Sequence, residues 1–124
     1  MWVRGIRGAT TVKNNEEKEI LAATTEMLLQ IVEANGIVPE DICSVFVTTT
    51  DDLTVTFPAR AIRQMKGWEL VPLMCSLEIP VKPSLPQCIR LMVHVNTSKT
   101  QKQINHVYLN EAKALRPDIA AKTN

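Results

Sequence analysis

Ile89-Arg90-Leu91-Met92-Val93-His94-Val95 alternates without a break. Successive side chains of a strand point to opposite faces, so Ile89, Leu91, Val93 and Val95 share one face and Arg90, Met92 and His94 the other. The aliphatic face needs a covering layer, and the chain supplies one upstream. Ile20, Leu21, Met27, Leu28, Ile31 and Val32 recur at spacings of three, four and seven, the stripe of a helix that packs on a sheet. Asn14 or Asn15 is expected to cap that helix, Glu16 and Glu17 to occupy its positive first turn, and Gly36 to end it. Arg90 is the anomaly of the strand. A guanidinium buried unpaired is costly, so it requires a carboxylate or an anionic ligand.

Outward from these two elements the remaining pattern is that of further strands and one short helix. Trp2 to Thr11 is rich in β-branched residues, with Arg4 and Arg7 on opposite faces if it is a strand. Pro39-Glu40-Asp41 punctuates, and Ile42 to Thr49 reads as a buried strand. A polar loop over 48–52 leads to Phe57-Pro58-Ala59-Arg60-Ala61-Ile62-Arg63-Gln64-Met65, a short helix with proline at its first position and its end near Gly67. Trp68 to Met74 is expected to be a strand. Pro80, Pro83 and Pro86 then forbid regular structure between Ile79 and Gln87. His106 to Leu109 reads as a short strand after a polar turn over 97–103, and the small, polar residues 117–124 as a mobile tail.

At 124 residues the chain is expected to be a single domain over 1–124, and 45% hydrophobic against 22% charged residues is an ordinary globular balance. A formal charge of +1 is too even for a protein whose main partner is a nucleic acid or an anionic membrane. Aromatic residues make up 4%, which leaves few platforms for base stacking. Cys43, Cys75 and Cys88 are odd in number and lack C-x-x-C spacing, the pattern of reduced cytoplasmic thiols rather than of a disulfide framework or a zinc knuckle. The N-terminus has two arginines and two glycines where a signal peptide needs an apolar core, and no apolar run is long enough to span a membrane. A soluble, unprocessed cytoplasmic protein is expected.

Phosphate-loop, dinucleotide-loop and H-E-x-x-H motifs are all missing, and the two histidines stand twelve residues apart on different elements. Cys75 with a distant histidine could imitate a thiol nucleophile, although a small strand-end hydrophobe is the plainer role. What stands out is a set of arginines: Arg7, Arg63, Arg90 and Arg116. Guanidinium forks match carboxylates bidentately. Arg63 and Arg116 could equally be solvated and Arg7 paired with a surface acid. For Arg90 an ion pair with Glu78 and a functional role are compatible, because both side chains could face one ligand.

Several segments also match a known pattern in order and spacing: Arg4 to Thr11, Phe57-Pro58-Ala59-Arg60-Ala61 with Arg63, Gly67-Trp68, Val71-Pro72 with Cys75 and Glu78, Cys88-Ile89-Arg90, His106 to Leu109, and Leu115 to Asp118. Over residues 2 to 118 the chain closely resembles the small monofunctional chorismate mutases of the trimeric, mixed α/β type. The resemblance implies an α/β (α+β) domain, a mixed sheet packed against one long and one short helix, and a homotrimer with a barrel-like core and active sites between subunits. It implies the concerted rearrangement of chorismate to prephenate, which requires no cofactor, metal or nucleophile.

By that resemblance Arg90 donates to the ether oxygen as it gains charge and also holds a carboxylate. Glu78, assisted by Cys75, binds the ring hydroxyl, and Arg7 and Tyr108 grip the side-chain carboxylate. Met74, Ser76 and Leu77 line the site partly through their backbone. Phe57, Ala59, Arg60, Arg63, Leu115 and Arg116 come from the neighbouring subunit or the tail and enclose the ring. Arg60 stands where the family has lysine, and Pro83 where it has glycine. The competing class is a non-catalytic oligomeric module that binds a small dicarboxylate with the same arginines, since fold alone does not decide function.

Overall fold

The computed structural model describes residues 1–115; Arg116 and the tail 117–124 expected to be mobile lie outside the described residues. Strands β1 (Trp2–Thr11), β2 (Ile42–Thr49), β3 (Leu73–Leu77), β4 (Cys88–Thr97) and β5 (Val107–Tyr108) form one sheet in the order β3-β2-β4-β1-β5. The central strand β4 runs antiparallel to β1 and β2, whereas β2 with β3 and β1 with β5 are parallel, so the sheet is mixed as expected. Helices α1 (Glu17–Asn35) and α2 (Ala59–Arg63) complete the domain. No described helix is long and apolar enough to cross a membrane.

Directly opposed residues share a face, and the register therefore sorts the whole sheet. Ile6, Val45, Val47, Ile89, Leu91, Val93 and Val95 lie on the helix side and are all at most 3% exposed. They pack with Ile20, Met27, Leu28 and Ile31 of α1 and with Ile62 of α2 into one core. Gly8 is required by this contact. A Cβ on it would stand 2.6 Å from Ile31 Cδ1. Neither α1 nor α2 covers the opposite face: its Ala9 end packs with Ala112 and Leu115, while Phe46 is 41% and Met74 63% exposed. Strand β2, expected to be buried, is so at Ile42, Val45 and Val47, whereas Phe46 is exposed and the other four residues are half-buried, because α1 and α2 lie on one side of the sheet.

Three further differences have local causes. Glu16, not Asn14 or Asn15, occupies the N-cap of α1, and no side chain caps the helix. Asn15 is engaged elsewhere, donating from Nδ2 to Thr54 Oγ1 (2.9 Å) and accepting from Thr54 N–H (3.0 Å), while Asn14 donates to Glu19. At the other end Gly36 terminates α1 with φ 60°, in the left-handed region that glycine enters without strain. Strand β3 begins at Leu73 rather than Trp68. Trp68 is 3% exposed and plugs the core from a turn in which its N–H donates to Met65 O. Pro72, which has no N–H to give the ladder, still accepts from Val45 N–H (2.9 Å), and regular pairing starts one residue later. In α2, Pro58 is the N-cap rather than the first helical residue.

Candidate functional site

Arg90 pairs in register with Thr48 on one side and Ala9 on the other, at the centre of the sheet's open face. Arg7 and Phe46 oppose Met92, and Tyr108 opposes Ala9. Strand register thus gathers on one surface residues that are far apart in the chain. Arg7, Phe46, Thr48, Glu78, Arg90, Leu91 and Met92 line a hollow of about 340 Å³ there.

Glu78 follows β3 and reaches Arg90 across the end of β2. Its Oε2 lies 2.9 Å from Arg90 Nε, with the Glu78 side chain 19% and the Arg90 side chain 35% exposed. The Nε–H is not aimed along that line, so the contact is ionic and both atoms lack a well-aligned hydrogen bond among the described residues. Arg7 lays its guanidinium 5.9 Å from the centroid of the Tyr108 ring, a cation–π distance. The Tyr108 hydroxyl is buried and has no hydrogen-bond partner among the described residues. Two guanidiniums against one carboxylate leave a net positive hollow with donors to spare, suited to a carboxylate-bearing ligand.

Cys88, two residues before Arg90 and 1% exposed, shares this neighbourhood. Burial pushes its thiol from 9.0 up to about 11, a rise that the Arg90 charge opposes and the Glu78 charge reinforces. It therefore stays neutral beside the ion pair.

The other expected site residues are placed elsewhere. Phe57, Ala59, Arg63, Met74 and Cys75 line a second hollow of about 530 Å³, and Phe57, Cys75, Ser76 and Leu77 a third of about 360 Å³ next to it. By register Cys75 opposes Val47 on the helix side of the sheet, away from Arg90, so a single chain groups it with Phe57. Arg60 lines none of these hollows. It pairs with Glu17 and donates to Thr56 Oγ1 (2.9 Å). Leu115 packs against Ala9, Tyr108 and Ala112 beneath the Arg7 end. Phe46, Thr48 and Met92 are wall residues that sequence reasoning missed. Met92 alone carried a signal, its parity with Arg90. A larger hollow of about 740 Å³ lies between β1, α1 and the loop before β4, but its charged lining is Lys13, Glu19, Glu26 and Glu111, the wrong sign for an anion.

Comparison with known proteins bears on the family and the fold. The family model described as chorismate mutase type I matches residues 3–119. The chain is 45% identical to Chorismate mutase AroH of Bacillus subtilis (strain 168) over 124 residues, covering 100% of this chain and 98% of that protein. It is 49% identical to Chorismate mutase AroH of Thermus thermophilus over 118 residues, 94% of this chain and 96% of that one. A solved chorismate mutase from Clostridium thermocellum superposes with a TM-score of 0.87 at 51% identity, covering 92% of this chain and 99% of that one.

Proposed function

The chain belongs to the type I chorismate mutases, and from that premise we propose that it isomerises chorismate to prephenate in a homotrimer whose active sites are each shared by two subunits. The observation that carries the reading is Arg90, held in the central strand against Glu78 with Arg7 in the same hollow.

In the rearrangement the ether C–O bond breaks as a new C–C bond forms within the same molecule. Atoms and electrons balance internally, so the protein has no proton to move and no bond of its own to make. It contributes a compact substrate conformation and charge at the oxygen that gains electron density. Arg90 supplies that charge through its guanidinium N–H groups. Glu78 fixes the guanidinium and accepts from the ring hydroxyl. Arg7 and the Tyr108 hydroxyl bind the side-chain carboxylate, and Phe46, Thr48 and Met92 wall the hollow.

Two observations support completion by a second subunit. Phe57, Ala59, Arg63, Met74 and Cys75 line a different hollow from Arg90, so one chain does not assemble the whole set. The open sheet face also exposes Val3, Phe46 and Met74, apolar surface of the kind another copy covers. Cys75 then reaches the substrate together with Phe57, and Leu115 closes the Tyr108 side. The three thiols are free, which suits a reducing cytoplasm, and the +1 net charge gives no reason to invoke a nucleic-acid or membrane partner.

Loss of chorismate's conjugated-diene absorbance tests the reading. Wild-type protein is expected to consume it, and Arg90→Ala to lower turnover about a hundredfold to a thousandfold, the cost of one electrostatic donor. Equal rates in the two would refute the role of Arg90. Thermal stabilisation by prephenate without any diene loss would identify a dicarboxylate-binding module instead.

A further inference from the structure

Glu78 and Arg90 stand on either side of the loop 79–87, and both ends of that loop are tied to the turn that leaves β2. At the first end Glu78 N–H donates to Thr49 O (2.9 Å). At the second, Cys88 N–H donates to Thr50 Oγ1 (2.9 Å) and Thr50 N–H to Cys88 O (3.1 Å). Gln87 N–H donates to both carboxylate oxygens of Asp52, at 3.1 and 2.9 Å, and the Thr50 hydroxyl donates to Asp52 Oδ1 at 2.6 Å. Asp52 thereby orients the Thr50 oxygen toward Cys88 N–H while holding the preceding residue directly.

Gln87 is held in a conformation it would not choose. Its φ is 50°, in the left-handed region that disfavours residues other than glycine. Gln87 O also accepts from Val12 N–H (3.0 Å), so loss of the Asp52 contact frees only the N–H side of Gln87 and loosens the strained backbone three residues before Arg90. Asp52 lines no part of the Arg90 hollow, so it acts through the backbone and not on a ligand.

We propose that Asp52 is a positioning residue: through Thr50 and Gln87 its carboxylate sets the entry into β4 and hence the seating of the Arg90 guanidinium against Glu78. The effect on catalysis rests on the function proposed above, whereas the effect on Arg90 itself does not.

The test compares wild type, Asp52→Ala, Gln87→Gly and the double variant, each shown to be folded by circular dichroism at the assay temperature. Two quantities are read: the steady-state constants for diene loss and the Arg90 Nε–H resonance by NMR. Asp52→Ala is expected to shift the resonance and to lower kcat tenfold or more with a smaller change in KM, as misplacement of a catalytic group does. Adding Gln87→Gly should recover part of that kcat, because glycine adopts the required φ unaided. A merely structural role predicts instead a lowered denaturant midpoint for Asp52→Ala with the resonance and kcat unmoved. An unmoved resonance, a kcat within twofold of wild type, or no recovery in the double variant would overturn the proposal. An inactive wild type would overturn the catalytic reading, and the resonance would then decide the positioning of Arg90 by itself.

Discussion

Replacing Gly8 with alanine tests the packing that puts the sheet's aliphatic face on α1. The new Cβ would stand 2.6 Å from Ile31 Cδ1 and 3.2 Å from both Met27 Cγ and Met27 Sδ. Carbon pairs settle at about 3.5 to 4.0 Å, so the first contact is short by roughly 1 Å. Ile31 and Met27 are both fully buried, and neither can swing into solvent to make room. Overpacking of this kind costs about 1–3 kcal/mol. Ile31→Val deletes the clashing Cδ1 and by itself costs about 0.5–1.5 kcal/mol through the cavity it leaves. The two changes fill and vacate the same space, so Gly8→Ala/Ile31→Val should be less destabilised than the sum of the singles by about 1 kcal/mol or more. Urea unfolding of all four proteins at one fixed concentration measures this, the concentration being held because association shifts apparent stability. Strict additivity, or a stabilising Gly8→Ala, would refute the close approach of β1 and α1.

Tyr108→Phe removes a buried hydroxyl without a partner among the described residues, so stability should stay within about 0.5 kcal/mol while kcat/KM for chorismate falls about tenfold, the value of a hydrogen bond to a carboxylate; a loss of stability above about 1 kcal/mol would show that the hydroxyl serves the fold. Because the Cys88 thiol ionises near 11 in the folded protein against 9.0 ordinarily, folded chains keep a proton that unfolded chains release. Its contribution is complete below pH 9 and is lost as pH rises toward 11, on the order of 2 kcal/mol. Cys88→Ala should therefore show a shallower alkaline fall in denaturant midpoint than wild type, and parallel curves would contradict the shift. Asn35 is 1% exposed, donates from Nδ2 to Ile31 O (2.9 Å) and Asn105 O (2.8 Å), and accepts from Asn105 N–H (2.8 Å). Asn35→Ala should cost about 1–3 kcal/mol in the same unfolding assay by orphaning the Asn105 groups; a neutral result would mean that water replaces them freely.

Periodicity, proline and glycine made the elements legible without any coordinates. The alternation over 89–95, the stripe from Ile20 to Val32, the stop at Gly36 and the irregular run between Ile79 and Gln87 all depend on chain neighbours, and all reappear in the fold. Trp68 and Asn15 misled because each is committed to a partner remote in sequence, the core in one case and Thr54 in the other. Arg90 could be singled out as a charge in an apolar strand, and Glu78 as a candidate partner. What no local pattern contains is the sheet order and register that set Thr48, Arg90 and Ala9 side by side, add Phe46 and Met92 to the wall and turn Cys75 to the other face. A strand's sequence specifies which residues alternate but not which strand lies beside it. That choice is made by burying the helix-facing aliphatic surfaces together, a sum over contacts between distant segments, and it alone decides which side chains meet at the site.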